Sequence, residues 1–336
     1  MKYTTKWLKA DADGISEAAQ WLRRGEVVGI PTETVYGLAA DATSEEAVRK
    51  IFSAKGRPQD NPLIVHISDL AMLSEYAQEI PDAALRLAEK FWPGPLTMVL
   101  KKKPVIPPVT SAGLDTVGIR FPSHPIAREI IRAAGVPLAA PSANLSGSPS
   151  PTAAQHVWDD MEGRIPAVVD GGTCDVGVES TVVSFEDEAV RILRPGLITA
   201  EELEAVGVAV TIDAGILHPL SESEPVRSPG MKYRHYSPKA RIVLVEGTLE
   251  RFTAYMEQRL TSGTYAMVFD KDTYPFRHLT YGNTGREQAH EIFDKLREFD
   301  KLGASVVYVR SPKKKGVGLA VYNRLLRAAG FEVVKL

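Results

Sequence analysis

The chain of 336 residues is long enough for two domains that each bury a core, and its 44% hydrophobic and 24% charged residues are typical of a globular protein. The formal net charge of −2 excludes a global positive field that would attract nucleic acid or an anionic membrane, so any basic site must be local. The single cysteine, Cys174, excludes a disulfide framework and a structural zinc cluster and indicates a reducing compartment.

The N-terminal segment is not predicted to be a targeting signal. Residues 1–11 are polar and lack the apolar core of a signal peptide, and no apolar run approaches the roughly 20 residues that span a bilayer. We therefore expect a cytoplasmic protein without a membrane span. The first predicted element is a helix over residues 15–22, whose apolar side chains lie on one side.

A polar turn is predicted directly after the first buried strand. The apolar run 27–30 predicts that strand, and Pro31 ends it because proline has no N–H group to donate to a neighbouring strand. Residues with polar side chains then crowd a turn that closes at Gly37. They are Thr32, Glu33, Thr34 and Tyr36.

A helix over residues 44–54 is predicted to lead two cations into a loop. Ser44 can cap this helix, and its apolar residues recur at helical spacing. Lys55 and Arg57 follow, before a strand over 63–67. Hydroxyl groups at one loop and cations at the other, at the edge of an α/β sheet, indicate an anion site. The alternative is that both cations form a solvated helix end, which the helix macrodipole favours.

Helices and strands are predicted to follow one another between residues 82 and 140. Two prolines and a glycine after residue 92 stop the first of these helices, because none of them continues a helix well. The predicted helices cover 82–91 and 124–134, and the predicted strands cover 96–100, 117–121 and 137–140.

A loop of small polar residues, 141–150, follows the last of these strands. Residues without bulky side chains let backbone N–H groups and hydroxyls approach a ligand closely. The alternative is a mobile surface connection, which is common for segments rich in serine and glycine. The position directly after a buried strand favours ligand binding.

The next two strands, 168–172 and 179–184, are predicted to pair around a glycine-rich turn. A further strand over 189–193 leads to Arg194, which precedes a Pro-Gly turn. An arginine at a strand end before a fixed turn is a candidate clamp for a phosphate group. The alternative is an exposed surface arginine.

Residues 214–238 form the predicted linker between the two domains, because prolines interrupt a stretch that is rich in serine and glutamate. Its second half, 228–238, contains two tyrosines, a histidine, a lysine and an arginine. Solvated spacers rarely contain so many aromatic groups, so we expect this half to lie against the protein.

The last hundred residues have the regular alternation of a small Rossmann-like domain with a parallel sheet. No glycine-rich dinucleotide fingerprint is present, so we assign no catalysis to this domain, and the cationic run 313–315 is interpreted as a solvated loop. The predicted strands are 241–245, 265–269, 305–309 and 331–334, and the predicted helices are 249–260, 287–299 and 317–329.

Several common catalytic motifs are missing from the sequence. There is no Walker loop for nucleotide phosphates, no HExxH or Cys/His metal spacing, and no GxSxG elbow, and Cys174 has no evident catalytic neighbour. These absences argue against covalent catalysis and against a transition metal held by the protein.

Four motifs occur in order along the chain. They are Pro31–Leu38 (PTETVYGL), Lys55–Leu63 (KGRPxxNPL), Pro141–Asn144 (PSAN) and Ser228–Pro238 (SPGMxYxHYxP). Together they resemble the YrdC-like threonylcarbamoyl-AMP synthase family, in its longer two-domain form, and the resemblance covers essentially the whole chain.

This resemblance implies that L-threonine, bicarbonate or CO₂, and ATP react to give threonylcarbamoyl-AMP and pyrophosphate. Proteins that transfer the threonylcarbamoyl group to tRNA then use the product to modify an adenosine next to the anticodon; direct tRNA binding by this chain stays open. The implied fold is a twisted, open α/β sheet with a concave basic site over 1–213, a linker over 214–238 that folds over this site, and a smaller Rossmann-like α/β domain over 239–336.

The resemblance also implies roles for individual residues. Lys55 and Arg57 are the expected catalytic cations, and Arg120 is expected to bind the threonine carboxylate. The positions that match ATP contacts are Arg57, Asn61, Thr116, Ser142, Asn144, Ser150, Arg194, His235 and Tyr236. The positions that match the threonine pocket are Thr34, His66, Arg120, Ala140 and Ser180.

Such a reaction needs no enzyme nucleophile. It needs neutralisation of the triphosphate charge and alignment of a carbamate oxygen with the α-phosphorus. We expect Mg²⁺ to be held mainly by phosphate oxygens and water, since the sequence shows no cage of carboxylates. Tyr236 and His235 would make the linker a lid that excludes water from a labile carbamate.

Two other functions remain open from the sequence. One is an RNA-binding or ribosome-associated module that uses the same concavity, which the net charge of −2 disfavours. The other is a carbamoyl-adenylate enzyme of hydrogenase maturation, whose family adds cysteine-rich zinc segments that a chain with one cysteine cannot form.

Overall fold

A computed structural model describes residues 3–59, 61–186, 189–218 and 235–336 of the chain. Within these ranges the first part of the chain forms a twelve-stranded sheet in the order β1-β9-β2-β3-β8-β4-β7-β6-β10-β11-β12, with β5 beside β6. The strands are β1 (Lys6–Lys9), β2 (Val28–Ile30), β3 (Gly37–Asp41), β4 (Ile64–His66), β5 (Ala77–Gln78), β6 (Leu96–Lys102), β7 (Thr116–Arg120), β8 (Leu138–Ala139), β9 (Ala167–Asp170), β10 (Thr181–Glu186), β11 (Ala189–Arg194) and β12 (Ala209–Ile212).

Helices pack on both faces of this sheet. The faces are distinguished along β9, where Val168 belongs to one apolar cluster and its neighbours Ala167 and Val169 belong to another, because successive side chains of a strand point to opposite faces. The helices are α1 (Ala12–Arg23), α2 (Glu45–Lys55), α3 (Leu73–Tyr76), α4 (Asp82–Phe91), α5 (Pro108–Ser111), α6 (Pro125–Ala134), α7 (Ala154–Met161) and α8 (Ala200–Glu204).

The helix α2 forms where its capping residues predict it. The Ser44 hydroxyl accepts a hydrogen bond from the Ala47 N–H group, with 3.3 Å between the heavy atoms. At the other end Gly56 adopts the left-handed conformation (φ 62°, ψ 39°), which ends the helix directly after Lys55. This cap fixes the point at which the chain leaves α2 for the site.

One local prediction in this sheet is wrong, and one strand was not predicted. Segments 168–172 and 179–184 do not pair, because both edges of β9 are already occupied by β1 and β2, while β10 pairs with β6 and β11. The predicted turn does end near Gly37, but Gly37 also begins β3, which pairs antiparallel with β2 and was not predicted.

The C-terminal part forms a second, five-stranded sheet in the order β15-β14-β16-β13-β17. All its pairings are parallel, which confirms the Rossmann-like prediction; the short strand β15 was missed. The elements are β13 (Arg241–Glu246), α9 (Leu249–Glu257), β14 (Thr264–Val268), β15 (His278–Thr280), α10 (Gly285–Lys301), β16 (Val306–Arg310), α11 (Val317–Ala328) and β17 (Val333–Lys335).

The two sheets belong to parts that pack closely on each other. Val176 and Val178, just before β10, join the apolar cluster of the C-terminal domain together with Phe293. Gly177 between them has a positive φ of 80°, and a Cβ there would lie 2.4 Å from the carbonyl oxygen of Ala289 on α10. The segment before β10 is therefore seated directly against α10.

None of the helices in the described ranges has the length and apolarity that crossing a membrane requires. Most of the predicted linker, residues 219–234, lies outside the described residues. Of its second half, 235–238 are described.

Candidate active site

One cavity collects most of the predicted site residues. It lies where the loops after β2 and β8 meet the ends of α2, β4, β7 and β11, and it encloses about 730 Å³ including its open mouth. The predicted residues in its wall are Thr34, Lys55, Arg57, His66, Arg120, Ala140, Ser142, Asn144, Ser180, Arg194, His235 and Tyr236.

The ammonium group of Lys55 is buried in this wall. Its Nζ donates hydrogen bonds to the carbonyl oxygens of Ser142 at 2.5 Å and Asn144 at 2.8 Å. Burial lowers the pKa of Lys55 well below its usual value, and the charge of Arg57 lowers the pKa further. The alternative of a solvated helix end is therefore wrong for Lys55, while Arg57 in the same wall is half-buried.

The loop 141–150 is packed against the site rather than mobile on the surface. Its backbone donates from Ala143 to the Tyr36 carbonyl oxygen at 2.9 Å and accepts at Pro141 from Leu38 at 2.7 Å. The Ser146 N–H group donates to the Lys55 carbonyl oxygen at 3.0 Å. These bonds hold the hydroxyls and amides of the loop against the cavity, which agrees with the ligand-binding interpretation.

Arg120, at the end of β7, is oriented by a buried carboxylate. Its Nη2 lies 2.8 Å from Glu33 Oε1, and its Nη1 donates to the Thr34 hydroxyl at 2.9 Å. Burial acts to raise the pKa of Glu33, but the charge of Arg120 and the hydrogen bonds to the carboxylate together outweigh burial and hold the pKa below its usual value. The Ser123 N–H group also donates to Glu33 at 3.1 Å. Glu33 thus remains ionised and fixes the guanidinium at the cavity.

Ser180 and Arg194 form a bonded pair in the wall of the cavity. Arg194 Nε donates to the Ser180 carbonyl oxygen and Nη2 to its hydroxyl, both at 3.0 Å. The same hydroxyl lies 2.8 Å from the Thr97 hydroxyl. Arg194 is buried, so the alternative of an exposed surface arginine is wrong, and burial lowers the pKa of Arg194 only to about 10, which leaves it cationic at neutral pH.

His66 lies in the same wall as a neutral side chain. Burial, with the nearby charge of Arg120, lowers the pKa of His66 to about 3. Its Nδ1 lies 3.2 Å from the Ile64 carbonyl oxygen, which the neutral ring can contact as a donor. His66 therefore carries no charge at neutral pH and shapes the pocket beside Ala140.

Two residues of the predicted lid line the cavity. The ring of Tyr236 packs on Phe293 of α10 with 5.2 Å between ring centroids, and the next N–H group, of Ser237, donates to the Gly147 carbonyl oxygen at 2.8 Å. Burial and the charges of Arg57 and Lys55 lower the pKa of His235 to about 3. This end of the linker therefore lies against the site, as expected from its aromatic residues.

Three predicted residues lie outside the lining of the cavity. Thr116 begins β7, about 13 Å along the strand from Arg120 at a rise of about 3.3 Å per residue. Ser150 lies behind the wall, where its hydroxyl donates to Glu179 Oε1 at 2.6 Å. Asn61 is fully buried, and neither polar atom of its amide has a hydrogen-bond partner within the described residues.

Glu179 is a wall residue that the sequence did not single out. Its carboxylate is buried, faces the cavity and also contacts Arg324 of α11, with 2.8 Å between Glu179 Oε2 and Arg324 Nε. Glu33 was noted only as part of a polar turn. The signal that both carboxylates shared is an acidic residue directly beside residues with hydroxyl groups, Thr32 and Thr34 for Glu33 and Ser180 for Glu179.

The wall as a whole suits an anionic ligand with a polar, hydroxylated end. Lys55, Arg57, Arg120 and Arg194 contribute cationic side chains, and Glu179, which pairs with Arg324 behind the wall, contributes a carboxylate. Among the described residues no group of three or more His, Cys, Asp or Glu side chains could hold a metal ion. Both oxygens of Glu179 are engaged by Ser150 and Arg324, so any Mg²⁺ here would depend on ligand oxygens.

Comparison with known proteins identifies the family. Residues 20–196 match a family model described as Telomere recombination (Sua5, YciO, YrdC), and residues 198–330 match the C-terminal domain of threonylcarbamoyl-AMP synthase. The curated threonylcarbamoyl-AMP synthase of Pyrococcus abyssi is 44% identical over 95% of both chains. That of Bacillus subtilis is 44% identical over 98% of this chain and 97% of its own.

Solved structures agree with these matches. The crystal structure of P. abyssi Sua5 complexed with L-threonine superposes with a TM-score of 0.92 at 40% identity, and the match covers 99% of this chain and 100% of that chain. Both the sheet that forms the cavity and the five-stranded C-terminal sheet are thus shared with this relative. The chain belongs to the threonylcarbamoyl-AMP synthase family, in its two-domain form.

Proposed function

We propose that the protein joins L-threonine, bicarbonate or CO₂, and ATP into threonylcarbamoyl-AMP, with release of pyrophosphate. The observation that carries this proposal is the cavity whose wall brings together the cationic side chains of Lys55, Arg57, Arg120 and Arg194 with hydroxyl groups. Membership in the family and the likeness to a relative crystallised with L-threonine support it.

The threonine end of the site is assigned to the Arg120 side of the cavity. The Arg120 guanidinium, already oriented by Glu33, can bind the threonine carboxylate through two parallel hydrogen bonds. The hydroxyls of Thr34 and Ser180 are the candidates that recognise the threonine hydroxyl, while His66 and Ala140 line the remaining surface, so that valine leaves polar groups unpaired.

The triphosphate end is assigned to Lys55, Arg57 and Arg194, with Ser142 and Asn144 as neutral donors. A buried lysine with a lowered pKa is poorly stabilised as a cation, and an entering triphosphate supplies the negative charge that raises its pKa again. Asn61, Thr116, Ser150, His235 and Tyr236 complete the proposed nucleotide contacts. The amide of Asn61, which has no hydrogen-bond partner among the described residues, is the proposed group for one of them.

The proposed chemistry forms two bonds in sequence. The threonine amine attacks the carbon of CO₂ and loses a proton, which gives a carbamate; a carbamate oxygen then attacks the α-phosphorus as the bond to the β-phosphate breaks. The residues act by neutralising charge and aligning attacker and phosphorus rather than by covalent catalysis. Mg²⁺ bound by ATP oxygens and water would supply further charge neutralisation on the phosphates.

The decisive experiment follows product and by-product together. The protein is incubated with ATP, bicarbonate and L-threonine, and with serine or valine in place of threonine, and the adenylate is detected by mass while pyrophosphate is measured. We expect both products with L-threonine and far less with valine. Pyrophosphate release that is independent of threonine, with no adenylate mass, would refute the proposal.

The remaining partners belong to the same proposal. Threonylcarbamoyl-AMP is a reactive mixed anhydride, so proteins that transfer its acyl group to tRNA must consume it, and we place this step in the cytoplasm. The alternatives of an RNA-binding module and a hydrogenase-maturation enzyme have no specific observation in their favour within the described residues.

A further inference from the structure

Arg324 reaches the wall of the cavity from behind, on α11 of the C-terminal domain. Its side chain is fully buried. Its Nε donates to Glu179 Oε2 at 2.8 Å, its Nη1 to the Pro195 carbonyl oxygen at 2.8 Å, and its Nη2 to the Glu179 carbonyl oxygen at 3.4 Å. One guanidinium therefore joins the segment that enters β10 to the turn that leaves β11.

These two segments carry the Ser180–Arg194 pair of the site. Ser180 directly follows Glu179 in the chain, and Arg194 directly precedes Pro195. Since Arg194 bonds both the hydroxyl and the carbonyl oxygen of Ser180, a shift of either segment moves both residues. The two contacts made by Arg324 thus fix the spacing between a proposed threonine contact and a proposed nucleotide contact.

Both oxygens of the Glu179 carboxylate are bonded within the protein, so the carboxylate is not available to a ligand. One oxygen accepts from the Ser150 hydroxyl at 2.6 Å and the other from Arg324. Burial acts to raise the pKa of Glu179, but the charges of Arg324 and Arg194 and the hydrogen bonds from Ser150 and Arg324 together outweigh burial and hold the pKa below its usual value. Without Arg324, a buried carboxylate would lose its closest counter-charge and would take up a proton or move.

The linker packs near the same guanidinium. The Arg324 guanidinium carbon lies 5.8 Å from the centroid of the Tyr236 ring, which also packs on Phe293. Arg324 itself is not part of the cavity lining, so its effect on a ligand must pass through Glu179, Pro195 and Tyr236.

We propose that Arg324 is a positioning residue through which the C-terminal domain completes the active site, by fixing Glu179 and with it the Ser180–Arg194 pair. This inference rests on the proposed function of the cavity. It gives the C-terminal domain a defined part in the reaction, although that domain contributes no side chain of its own to the lining of the cavity.

The test exploits the charge of Glu179. The charged and titratable groups that face this carboxylate are Arg324 from α11, Arg194 from β11, Lys55 from α2, and Tyr236 and His235 from the linker. In Arg324→Met, Glu179 loses the strongest of its counter-charges while it stays buried, so its pKa rises. If Arg324 had only a structural role, its substitution would add no new titrating group to the pH profile of activity.

Threonylcarbamoyl-AMP formation is measured for the wild type, Arg324→Met, Glu179→Gln and the double variant between pH 5.5 and 8.5. We expect Arg324→Met to lower kcat/KM for threonine roughly 10- to 100-fold, because small displacements of aligned groups have effects of this size. We also expect a new loss of activity on the acid side, which disappears in the double variant because no carboxyl group remains at position 179.

Controls separate this effect from a general loss of stability. Arg310→Met removes another arginine–carboxylate pair of the C-terminal domain, formed with Asp272 between β14 and β15, and should lower the melting temperature without changing the pH profile. Should Arg324→Met fail to fold, Arg324→Lys replaces it. Lysine keeps the charge but cannot bond Glu179 and Pro195 together, so KM for threonine should rise without a new acid limb.

The outcomes are distinguishable. A wild-type protein that forms no adenylate refutes the proposed function. A wild-type protein that forms the adenylate, beside an Arg324→Met or Arg324→Lys variant with unchanged kinetics, refutes the role of Arg324 alone. An acid limb that persists in the double variant refutes the link through Glu179.

Discussion

Lys55 is the residue on which the proposed phosphate contact depends most directly. Its buried ammonium group bonds two carbonyl oxygens of the loop 141–150 and lies in the same wall as Arg57. We predict that Lys55→Met lowers kcat for threonine-dependent pyrophosphate release roughly 100- to 1,000-fold, as expected for loss of one preorganised charge. Lys90→Met, at an exposed position of α4, is the control and should leave the rate unchanged. A rate within twofold of wild type for Lys55→Met would contradict the assignment.

Substitution of Arg120 should weaken the binding of threonine and leave the binding of ATP nearly unchanged. A lysine at this position keeps the charge but cannot bind a carboxylate through two parallel bonds while also contacting Glu33 and Thr34. We therefore predict that Arg120→Lys raises KM for threonine roughly 10- to 100-fold, from the loss of one bidentate contact, with KM for ATP nearly unchanged. Arg132→Lys, exposed on α6, serves as the control. Equal increases in both KM values would show that Arg120 does not discriminate between the substrates.

His66 predicts a pH dependence of stability. Burial holds its pKa at about 3 in the folded protein, against about 6.5 in an unfolded chain. Between these values the unfolded state binds a proton that the folded state does not, so the free energy of unfolding falls as the pH falls, by up to about 1.4 kcal/mol per pH unit. We predict that His66→Gln flattens this slope between pH 6 and pH 4.5, measured by urea unfolding. Replacement of the exposed His218 should leave the slope as it is.

At the scale of elements, the loop 141–150 joins α2, the linker and the cavity. Gly147 lies at its tip with a φ of 90°, a conformation that other residues adopt only with strain, and its carbonyl oxygen accepts from Ser237 of the linker at 2.8 Å. We predict that Gly147→Ala loosens this contact and raises KM for ATP several-fold. Gly207→Ala has a matched φ of 81° and open space around its Cβ position, so it introduces similar strain away from the site. If both variants behave alike, the contact between loop and linker does not matter for the nucleotide.

The elements that the sequence predicted well are those specified by nearby residues. The helix α4 spans Asp82–Phe91 as predicted, because Pro81 precedes it and prolines follow it. Pairing of strands is different, because β9 and β10 each join partners distant in the chain, and no local pattern distinguishes those partners from the neighbouring segment. The glycine-rich segment between β9 and β10 does turn the chain, but the two strands do not form a hairpin.

The residues of the candidate site also fall into those that a local motif predicts and those that depend on distant parts of the chain. Lys55, Arg57 and the loop 141–150 were predicted because each stands in a short motif next to a strand or helix end. Glu179 was missed because its meaning depends on Arg324, 145 residues further along the chain. A buried carboxylate and its arginine are recognisable only after folding brings them together, since either residue alone is typical of a protein surface.

At the scale of the whole molecule, the contacts between the two parts should make them unfold together. Arg297 of α10 bonds Asp160 at 2.8 Å and the Pro149 carbonyl oxygen at 2.6 Å, and Arg324 is buried between the parts. All four tryptophans, at positions 7, 21, 92 and 158, precede the C-terminal domain, so their fluorescence reports on the first part alone. Amide exchange in α10 reports on the second.

We predict that the thermal midpoints from tryptophan fluorescence and from α10 amide exchange coincide, because separating the parts leaves the Glu179 carboxylate and the Arg324 guanidinium buried without each other. ATP and L-threonine together should raise both midpoints by the same amount, since ligand binding to the folded state stabilises whatever unfolds with the site. If the fluorescence midpoint rises with the ligands while the α10 midpoint stays fixed, ligand binding at the site does not stabilise the C-terminal domain. In that case the Arg324 guanidinium could not be the group that fixes Glu179 and the Ser180–Arg194 pair.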